Sequence, residues 1–299
     1  MSRLSRYRQA AILFVVCCVA VLLLTNTRFG VWLLLDAFPD GDEASNADPR
    51  SGPILISEFR SAEPASQLPG GIEQPSGISY VEDADRFFVS TDQAELFVLD
   101  GALSAFQSSK VLARKPLILR QGSVEAATAI SSDSAIVAGE MDSLELWRWA
   151  ADDSWYRDAI IEISGYDGEI EFAGVAYNPD SDEYYAATDE AFEVLVLDAA
   201  GAVLRTIALT EGLDLKAGRA LSEYAISGLD YAEGKLYVLT ETYNTILVID
   251  SANGIERIVG VEGGGQLAAI AIANGRAYMP VDHNWNEERP PLYVVDLTD

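Results

Sequence analysis

Acidic and amide side chains recur at matching places in this 299-residue sequence. One group follows apolar runs, and a second group, which includes one tyrosine, precedes the apolar runs before them. The first group is Asp92, Glu140, Asp189, Glu241 and Asp282, and the second is Gln74, Glu125, Glu171, Tyr224 and Gln266. Carboxylate and amide oxygens suit Ca²⁺, which takes about six to eight oxygen ligands, and carboxyl groups also act as acids and bases. A fold that gathers these positions would create a site for one of those two chemistries.

The surrounding pattern repeats about five times. Each copy reads small-Gly-apolar-x-Tyr, then an apolar run ending in Thr-Asp or Thr-Glu, then apolar-x-apolar-Asp. Clear copies contain Gly77, Gly174 and Gly228, and weaker copies are centred on Ala129 and Ile270. The copies lie about 48 residues apart, and strand-rich units with a pitch of about 40–50 residues are typical of propeller blades. The sequence therefore predicts an all-β fold, a β-propeller of about five blades, with six as the alternative.

The propeller architecture predicts where the acidic residues meet. The innermost strand of a blade runs along the central axis and the next strand returns antiparallel, so the start of one and the end of the other lie at the same rim. Carboxylates gathered there cannot all stay ionised without a compensating charge. The metal-ligand hypothesis names Asp92, Glu125, Glu140, Glu171, Asp189, Glu241 and Asp282, with Gln74, Gln266 and His283 as further rim positions.

Three outcomes would relieve this repulsion, and the residues leave them open. A calcium ion binds on the axis, some carboxyl groups keep raised pKa values and act on a substrate, or the acids cap turns and never meet. The Asp that closes the third run of each copy is expected to be a turn residue. These positions are Asp100, Asp198, Asp250 and Asp296.

The N-terminal segment indicates that the rest of the chain is exported across a membrane. Arg3, Arg6 and Arg8 precede an uncharged apolar run over 10–24, and a second apolar patch follows at 31–35. Residues 1–35 are therefore expected to form a single inner-membrane anchor or a signal segment, cleaved or uncleaved, with the arginines in the cytoplasm. Residues 36–53 are acidic and rich in turn formers, which indicates a flexible linker. The propeller is expected over 54–299, in the periplasm or outside, with a strand at 54–59 completing the last blade.

The composition argues against several classes of function. The net charge of −27 disfavours nucleic acid as a partner and favours cations. The two cysteines, Cys17 and Cys18, are adjacent in the apolar run, so no disulfide is expected in the propeller. His283 is the single histidine, and the sequence contains no GxSxG, HExxH, CxxC or Walker motif. These absences give nucleophilic catalysis little support.

The order and spacing of several short segments resemble the SdiA-regulated family of bacterial envelope proteins. These segments pair 76–78 with 90–92, 173–179 with 187–190, and 226–229 with 239–241. The resemblance runs from about Ile54 to Asp299, although two copies lack the Gly, at 126–129 and 267–270. It implies an exported propeller of the phytase-like and calcium-associated class, with no established reaction. Phytase activity is not expected, because the rim motifs carry few Lys or Arg residues for phosphate.

These observations predict a membrane-anchored, exported propeller that binds a cation, with Ca²⁺ as the candidate, and acts as a binding or scaffolding module of the cell envelope. Its partner would be a small ligand or an envelope protein. One alternative is a metal-assisted hydrolase, of the phosphoesterase or esterase type, that uses rim carboxylates such as Glu171 and Glu241. A second alternative is a metal-free propeller that binds other proteins.

Overall fold

Short apolar strands joined by tight turns build the molecule. The computed structural model describes residues 48–52, 54–56, 58–69, 71–101, 111–117, 123–139, 143–150, 154–168, 170–188, 192–211, 213–214, 224–250, 254–281 and 290–298. Over these residues the chain forms 21 β-strands and two short 3₁₀ helices, at Pro49–Ser51 and Glu82–Ala84. The predicted membrane anchor and most of the predicted linker lie outside the described residues. No helix in the described part is both long and apolar enough to cross a membrane.

The strands form five antiparallel blades, which confirms the predicted fold and the lower blade count. Blades 1 to 3 each use four consecutive strands, numbered from the innermost outward. Blade 1 contains β3 (Pro75–Val81), β4 (Arg86–Thr91), β5 (Glu95–Asp100) and β6 (Val111–Pro116). Blade 2 contains β7 (Val124–Ser131), β8 (Ser134–Gly139), β9 (Ser143–Trp149) and β10 (Trp155–Glu162). Blade 3 contains β11 (Phe172–Asn178), β12 (Glu183–Thr188), β13 (Glu193–Leu197) and β14 (Val203–Ala208).

The last two blades combine strands from both ends of the chain. Blade 4 contains β15 (Ile226–Ala232), β16 (Lys235–Thr240), β17 (Thr245–Asp250) and β18 (Gly254–Glu262), and β1 (Glu58–Ser61) adds a fifth, parallel strand. Blade 5 contains β19 (Ala271–Ala273), β20 (Arg276–Pro280) and β21 (Pro291–Asp296), and β2 (Glu63–Gln67) is its outermost strand. The predicted closing strand at 54–59 is therefore wrong in position, because residues 63–67 complete blade 5 and residues 58–61 extend blade 4.

An ion pair explains why the N-terminal strand lies on blade 4. The Arg257 guanidinium donates to both carboxylate oxygens of Glu58, with Nη2 3.0 Å from Oε1 and 3.1 Å from Oε2. Burial alone would raise the pKa of Glu58, but hydrogen bonds from Arg257 and Arg60 outweigh it and lower the pKa. Arg257 also donates to the Leu297 carbonyl and Arg60 to that of Thr298. The two ends of the propeller chain are thus held to the same blade.

Glycine and alanine let the inner strands meet at the axis. A β-carbon at Gly228 would lie 2.9 Å from Ala269 Cα, and one at Gly77 would lie 2.7 Å from the Ala127 backbone nitrogen. A β-carbon at Gly174 would lie 2.8 Å from the Leu229 nitrogen. A cavity of about 10 Å³ lies between these five strands, next to the glycine and alanine positions. The inner strands therefore pack closely against one another at this place.

Every inner strand has a β-bulge at the same position, one residue before the Gly or Ala of the repeat. The register shifts by one residue between Pro75 and Gly77, and equivalent shifts occur in β7, β11 and β15. The pairing of Leu267 with Val281 and of Ala271 with Tyr278 contains the same shift in blade 5. This register aligns Ala127, rather than the predicted Ala129, with Ile78. The alignment of the second copy was wrong by two residues because that copy has Ala126 where clear copies have Gly.

The tyrosine of the repeat ties the inner strand to its own hairpin turn. The Tyr80 hydroxyl donates to Asp85 Oδ1 and the Tyr177 hydroxyl to Asp182 Oδ1, both over 3.0 Å. Burial and the neighbouring carboxylate raise the pKa of each tyrosine to about 12, so both stay protonated donors near neutral pH. Asp85 and Asp182 have left-handed φ angles of 47° and 56°, which Asp tolerates better than most residues.

Tight packing at the axis predicts a large penalty for a single added methyl group. Gly228→Ala should destabilise the full-length protein by about 1–3 kcal/mol, because the new β-carbon meets backbone that cannot rotate away. Urea unfolding measures this difference. The neighbouring Ser227→Ala is the matched control and should be at least as stable as the native chain, since Ser227 Oγ is buried without a hydrogen-bond partner among the described residues and blade 3 already has Ala173 at the equivalent position. Equal stability of the two variants would contradict tight axial packing.

Candidate functional site

The starts of the inner strands and the ends of the second strands lie side by side, as the sequence predicted. The backbone N–H of Asp92 donates to the Gln74 carbonyl over 3.1 Å in blade 1. In blade 4 the N–H of Glu241 donates to the Ala225 carbonyl over 2.8 Å. Both contacts follow directly from the antiparallel register. We call this end of the five blades the acidic rim, and its described members are Gln74, Asp92, Glu171, Glu241 and Gln266.

Neighbouring blades meet at the acidic rim through side chains. Gln266 Nε2 of blade 5 donates to Glu241 Oε1 of blade 4. Beside this contact, Asn244 Nδ2 donates to the Gly265 carbonyl over 2.9 Å. Glu171 is exposed, while Asp92 and Glu241 are half-buried. The rim of blades 4 and 5 is thus a connected polar surface that holds a carboxylate beside an amide.

Two of the predicted leading residues lie elsewhere. Glu125 is the bulged residue of β7, and Ser123 takes the leading place of blade 2 and donates from Oγ to Glu125 Oε1. Tyr224 precedes the leading residue of blade 4 by one position and is buried between Phe192 and Tyr243, with ring centroids at 5.8 and 4.7 Å. Its hydroxyl accepts from the Ile54 N–H over 3.4 Å. Tyr224 therefore anchors the N-terminal segment.

The bulged residues form a second set that the sequence prediction did not recognise. Each is partly exposed, although the residues on both sides of it are buried in all five blades. This bulge ring consists of Ser76, Glu125, Ala173, Ser227 and Ala268. Glu125 is its single carboxylate. The signal was present in the sequence, because each of these residues directly precedes the Gly or Ala of the repeat.

Four of the predicted site residues are not placed. Glu140, Asp189, Asp282 and His283 lie outside the described residues. Within the described part of the chain, no three His, Cys, Asp or Glu side chains lie close enough to share a metal ion. The calcium-ligand hypothesis, which needs the complete rim, stays a prediction.

The acids that close the third strands are turn residues where their contacts are described. Asp198 Oδ1 accepts from the N–H groups of Ala200 and Ala202, both over 2.9 Å. Asp296 Oδ1 accepts from the N–H of Thr298 over 2.9 Å and from its hydroxyl. Hydrogen bonds from Thr298 lower the pKa of Asp296. This confirms the structural role predicted for both residues.

Asp230 is a buried carboxyl group at the junction of blades 4 and 5. Its Oδ2 accepts from the backbone N–H of Ile272 over 2.5 Å, and the residue is 7% exposed. Ser79 makes the equivalent contact between blades 1 and 2, where its Oγ accepts from the Ala129 N–H over 2.8 Å. Burial raises the pKa of Asp230 to about 7, although hydrogen bonds from the N–H groups of Ile272 and Tyr231 oppose the shift.

Solved structures with similar folds are also propellers. A glutaminyl cyclase from Myxococcus xanthus aligns with 83% of this chain and all of its own, at 18% identity and a TM-score of 0.54. The Myceliophteria thermophila Cps50 (Swd1) beta-propeller domain aligns with 77% of this chain and 86% of its own, at 10% identity and a TM-score of 0.46. No protein-family model and no curated protein matches the sequence. At 18% identity, the first likeness shows a shared fold.

The pKa of Asp230 predicts how stability depends on pH. Its folded value of about 7 lies above the ordinary 3.8, so its contribution to stability is fully present below pH 3.8 and is lost as the pH rises through 7. Asp230→Asn keeps an acceptor oxygen and cannot ionise. It should therefore be more stable than the native protein at pH 8, by a few kcal/mol at most, but not at pH 4. Urea unfolding at both pH values checks this, and a difference independent of pH would contradict it.

Proposed function

We propose that the protein is a membrane-anchored, exported propeller that acts as a calcium-dependent binding or scaffolding module of the cell envelope, with its site at the acidic rim. The repeated register is the observation that carries this proposal. Asp92 and Glu241 lie directly beside the leading residues of their blades. Glu140 and Asp189 directly follow β8 and β12 in the sequence, which is the same position of the repeat.

Calcium suits such a rim better than other common cations. Ca²⁺ accepts about six to eight oxygen ligands in irregular geometry, whereas Mg²⁺ demands a near-ideal octahedron. The rim mixes carboxylates with the amides of Gln74 and Gln266, and both groups supply hard oxygen ligands. A calcium ion would also offset the repulsion between carboxylates from different blades.

The close packing of the inner strands favours a partner that binds on the face of the propeller. The cavity between the starts of these strands measures about 10 Å³, which is too small for a ligand. A small ligand or the surface of an envelope protein reaches the rim from outside. The net charge of −27 argues against nucleic acid. The envelope setting is supported by the N-terminal sequence, in which three arginines precede the apolar run.

Glu125 favours a second candidate function, enzymatic catalysis at the bulge ring. It is a single half-buried carboxylate among serine and alanine side chains, with a hydroxyl donor from Ser123. Such a group accepts and returns a proton without a competing charge beside it in the ring. The Myxococcus xanthus propeller is named a glutaminyl cyclase, and cyclisation of a glutaminyl residue moves a proton from the attacking amine toward the departing ammonia. A hydrolase that uses Glu171 and Glu241 with a metal is the other enzymatic form.

Calcium should stabilise the full-length protein against heat. At about 100 times its dissociation constant, Ca²⁺ adds about 2.7 kcal/mol to the free energy of unfolding, and the melting temperature rises by several degrees. Mg²⁺ and a chelator should give no such rise. Differential scanning calorimetry of the native protein and of a variant that combines Glu171→Gln with Glu241→Gln measures the effect.

The combined variant should lose the calcium-dependent rise. Glu233→Gln is its matched control, because Glu233 is an exposed acid at the opposite end of β16 from Glu241. That control should respond to Ca²⁺ as the native protein does. A shift that survives in the combined variant, or no shift at all, would contradict the rim site and favour the metal-free protein-binding alternative.

The enzymatic candidate makes a separate prediction. The full-length protein should release ammonia from peptides with an N-terminal glutamine, and Glu125→Gln should lower kcat/KM by about 10²–10⁴ because the proton carrier is lost. Glu171→Gln serves as the control and should keep the activity. An absence of ammonia release, or equal rates in the native protein and Glu125→Gln, would exclude this candidate.

A further inference from the structure

The outer strands of blades 1 to 4 share a second β-bulge. In each of them the register with the neighbouring strand shifts by one residue, and the exposed bulged residues are Leu112, Asp158, Leu204 and Glu256. The residue that follows the bulge is alanine in blades 1 and 2 but arginine in blades 3 and 4. Arg205 of blade 3 therefore occupies the same register position as Arg257 of blade 4.

Arg257 shows what this arginine does when a fifth strand is present. It donates to both carboxylate oxygens of Glu58 in β1, and β1 pairs in parallel with residues 259–262 at the outer edge of blade 4. Bulges and charged residues commonly protect an edge strand from pairing with another strand. Blade 4 has both, yet β1 pairs with it. This combination therefore accepts a fifth strand when that strand brings a carboxylate.

Arg205 lacks the carboxylate that Arg257 has. It lies opposite Val196 of β13, as Arg257 lies opposite Val248 of β17. It is exposed, and it makes no hydrogen bond or ion pair with any residue that the structure describes. Blade 3 thus presents the arginine of blade 4 without its partner.

The outer edge of β14 is open to a further strand. Within the described part of the chain β14 is the outermost strand of its sheet, and Ser164 covers only its start, through a parallel bridge to Ala202. The Leu209 N–H donates to the Phe192 carbonyl on the β13 side over 3.3 Å. Because successive N–H groups of a strand point in alternate directions, that of Ala208 points away from β13, and Ala208 is exposed.

We infer that the outer edge of blade 3 binds an extended acidic segment of a partner protein, whose carboxylate bonds Arg205 and whose backbone pairs in parallel with β14. Backbone hydrogen bonds supply affinity in this mode of recognition, and side-chain contacts supply specificity. An arginine–carboxylate pair is charge-assisted and directional, so it fixes the register of the added strand. This surface is separate from the acidic rim and needs no calcium.

Leu204 and Ala208 limit the side chains beside that carboxylate. Leu204 is 53% exposed, and a glutamate takes its place in blade 4, so blade 3 favours a more apolar segment. In blade 4 the residue after Glu58 is Phe59, which packs on Gly260, and a β-carbon there would lie 2.8 Å from the Phe59 ring. Blade 3 has Ala208 at that position. The residue after the carboxylate should therefore be smaller than Phe.

Two peptides and three variants test this edge. The first peptide, acetyl-Ile-Ser-Glu-Val-Thr-Ser-amide, follows the sequence at 56–61 with Val and Thr in place of its Phe and Arg. The second peptide has Gln in place of Glu. Each is titrated at pH 7 into the full-length protein with a chelator present and followed by ligand-observed NMR.

The variants separate the charge from the strand pairing. Arg205→Gln removes the cation. Ala208→Pro removes an outward N–H at a place where an edge strand tolerates proline. Arg148→Gln on blade 2 is the matched control, because it changes the net charge by the same amount as Arg205→Gln and the native arginine already pairs with Asp158.

The Glu peptide should bind the native protein and Arg148→Gln saturably and with equal affinity. Its Kd should rise by about tenfold or more in Arg205→Gln, because a charge-assisted hydrogen-bonded pair is lost, and the Gln peptide should bind the native protein more weakly by a similar factor. Arg205→Gln should bind the two peptides alike, since neither then makes the ion pair. Ala208→Pro should weaken the binding of both.

The comparison of the two peptides on the native protein does not depend on the folding of any variant. An absence of saturable binding, or equal affinity of the native protein for the two peptides, would overturn the inference. Unchanged binding of the Glu peptide in Arg205→Gln or in Ala208→Pro would overturn it as well.

Discussion

The close approach of five backbones at the axis is the constraint on which the rest of the structure depends. Gly77, Gly174 and Gly228 have no room for a β-carbon because backbone or side-chain atoms of a neighbouring inner strand lie within about 3 Å of its position. Ala126 and Ala269 take the same place in the other two blades. With so little space between the inner strands at this level, the five strands pack directly against one another.

The β-bulge leaves one residue of each inner strand partly exposed in spite of this packing. A regular inner strand would place its side chains alternately toward the two neighbouring blades, and both of those surfaces are buried. The extra residue before each Gly or Ala breaks that alternation, so one residue per blade is partly exposed. Since the backbone geometry is shared by the blades, chemistry at this place depends only on residue type. Glu125 differs from Ser76 and Ala173 for that reason, and it makes the ring asymmetric.

The rim could be predicted from the sequence because it depends only on antiparallel pairing within a blade. Asp92 beside Gln74 follows once the two strands are recognised, whatever their neighbours do. Glu125 could not be placed in the same way, since one bulged residue changes which side chain leads the strand. The prediction of a closing strand at 54–59 was wrong for a different reason. Their partners, such as Arg257 for Glu58, are 199 residues away, and local alternation does not say which blade a terminal strand joins.

Blades 4 and 5 both contain a strand from the N-terminal part of the chain, and directional polar contacts hold these blades in register. Blade 5 takes strands from both ends of the chain. The pairing of β2 with β21 therefore does for blade 5 what the continuous chain does for blades 1 to 3, which is to keep all four strands together. Apolar packing is not directional and does not by itself fix how strands align. Directional bonds can form in only one alignment, and three of them are the bonds from Arg257 to Glu58, from Ile272 to Asp230 and from Gln266 to Glu241. The contacts at Asp230 and Glu241 join blades that the chain already connects, and Ser79 makes the same kind of contact between blades 1 and 2, so they fix the register between neighbouring blades rather than close the ring. Closure itself depends on the pairing of β2 with β21 and on the bonds from Arg257 to Glu58 and to the Leu297 carbonyl.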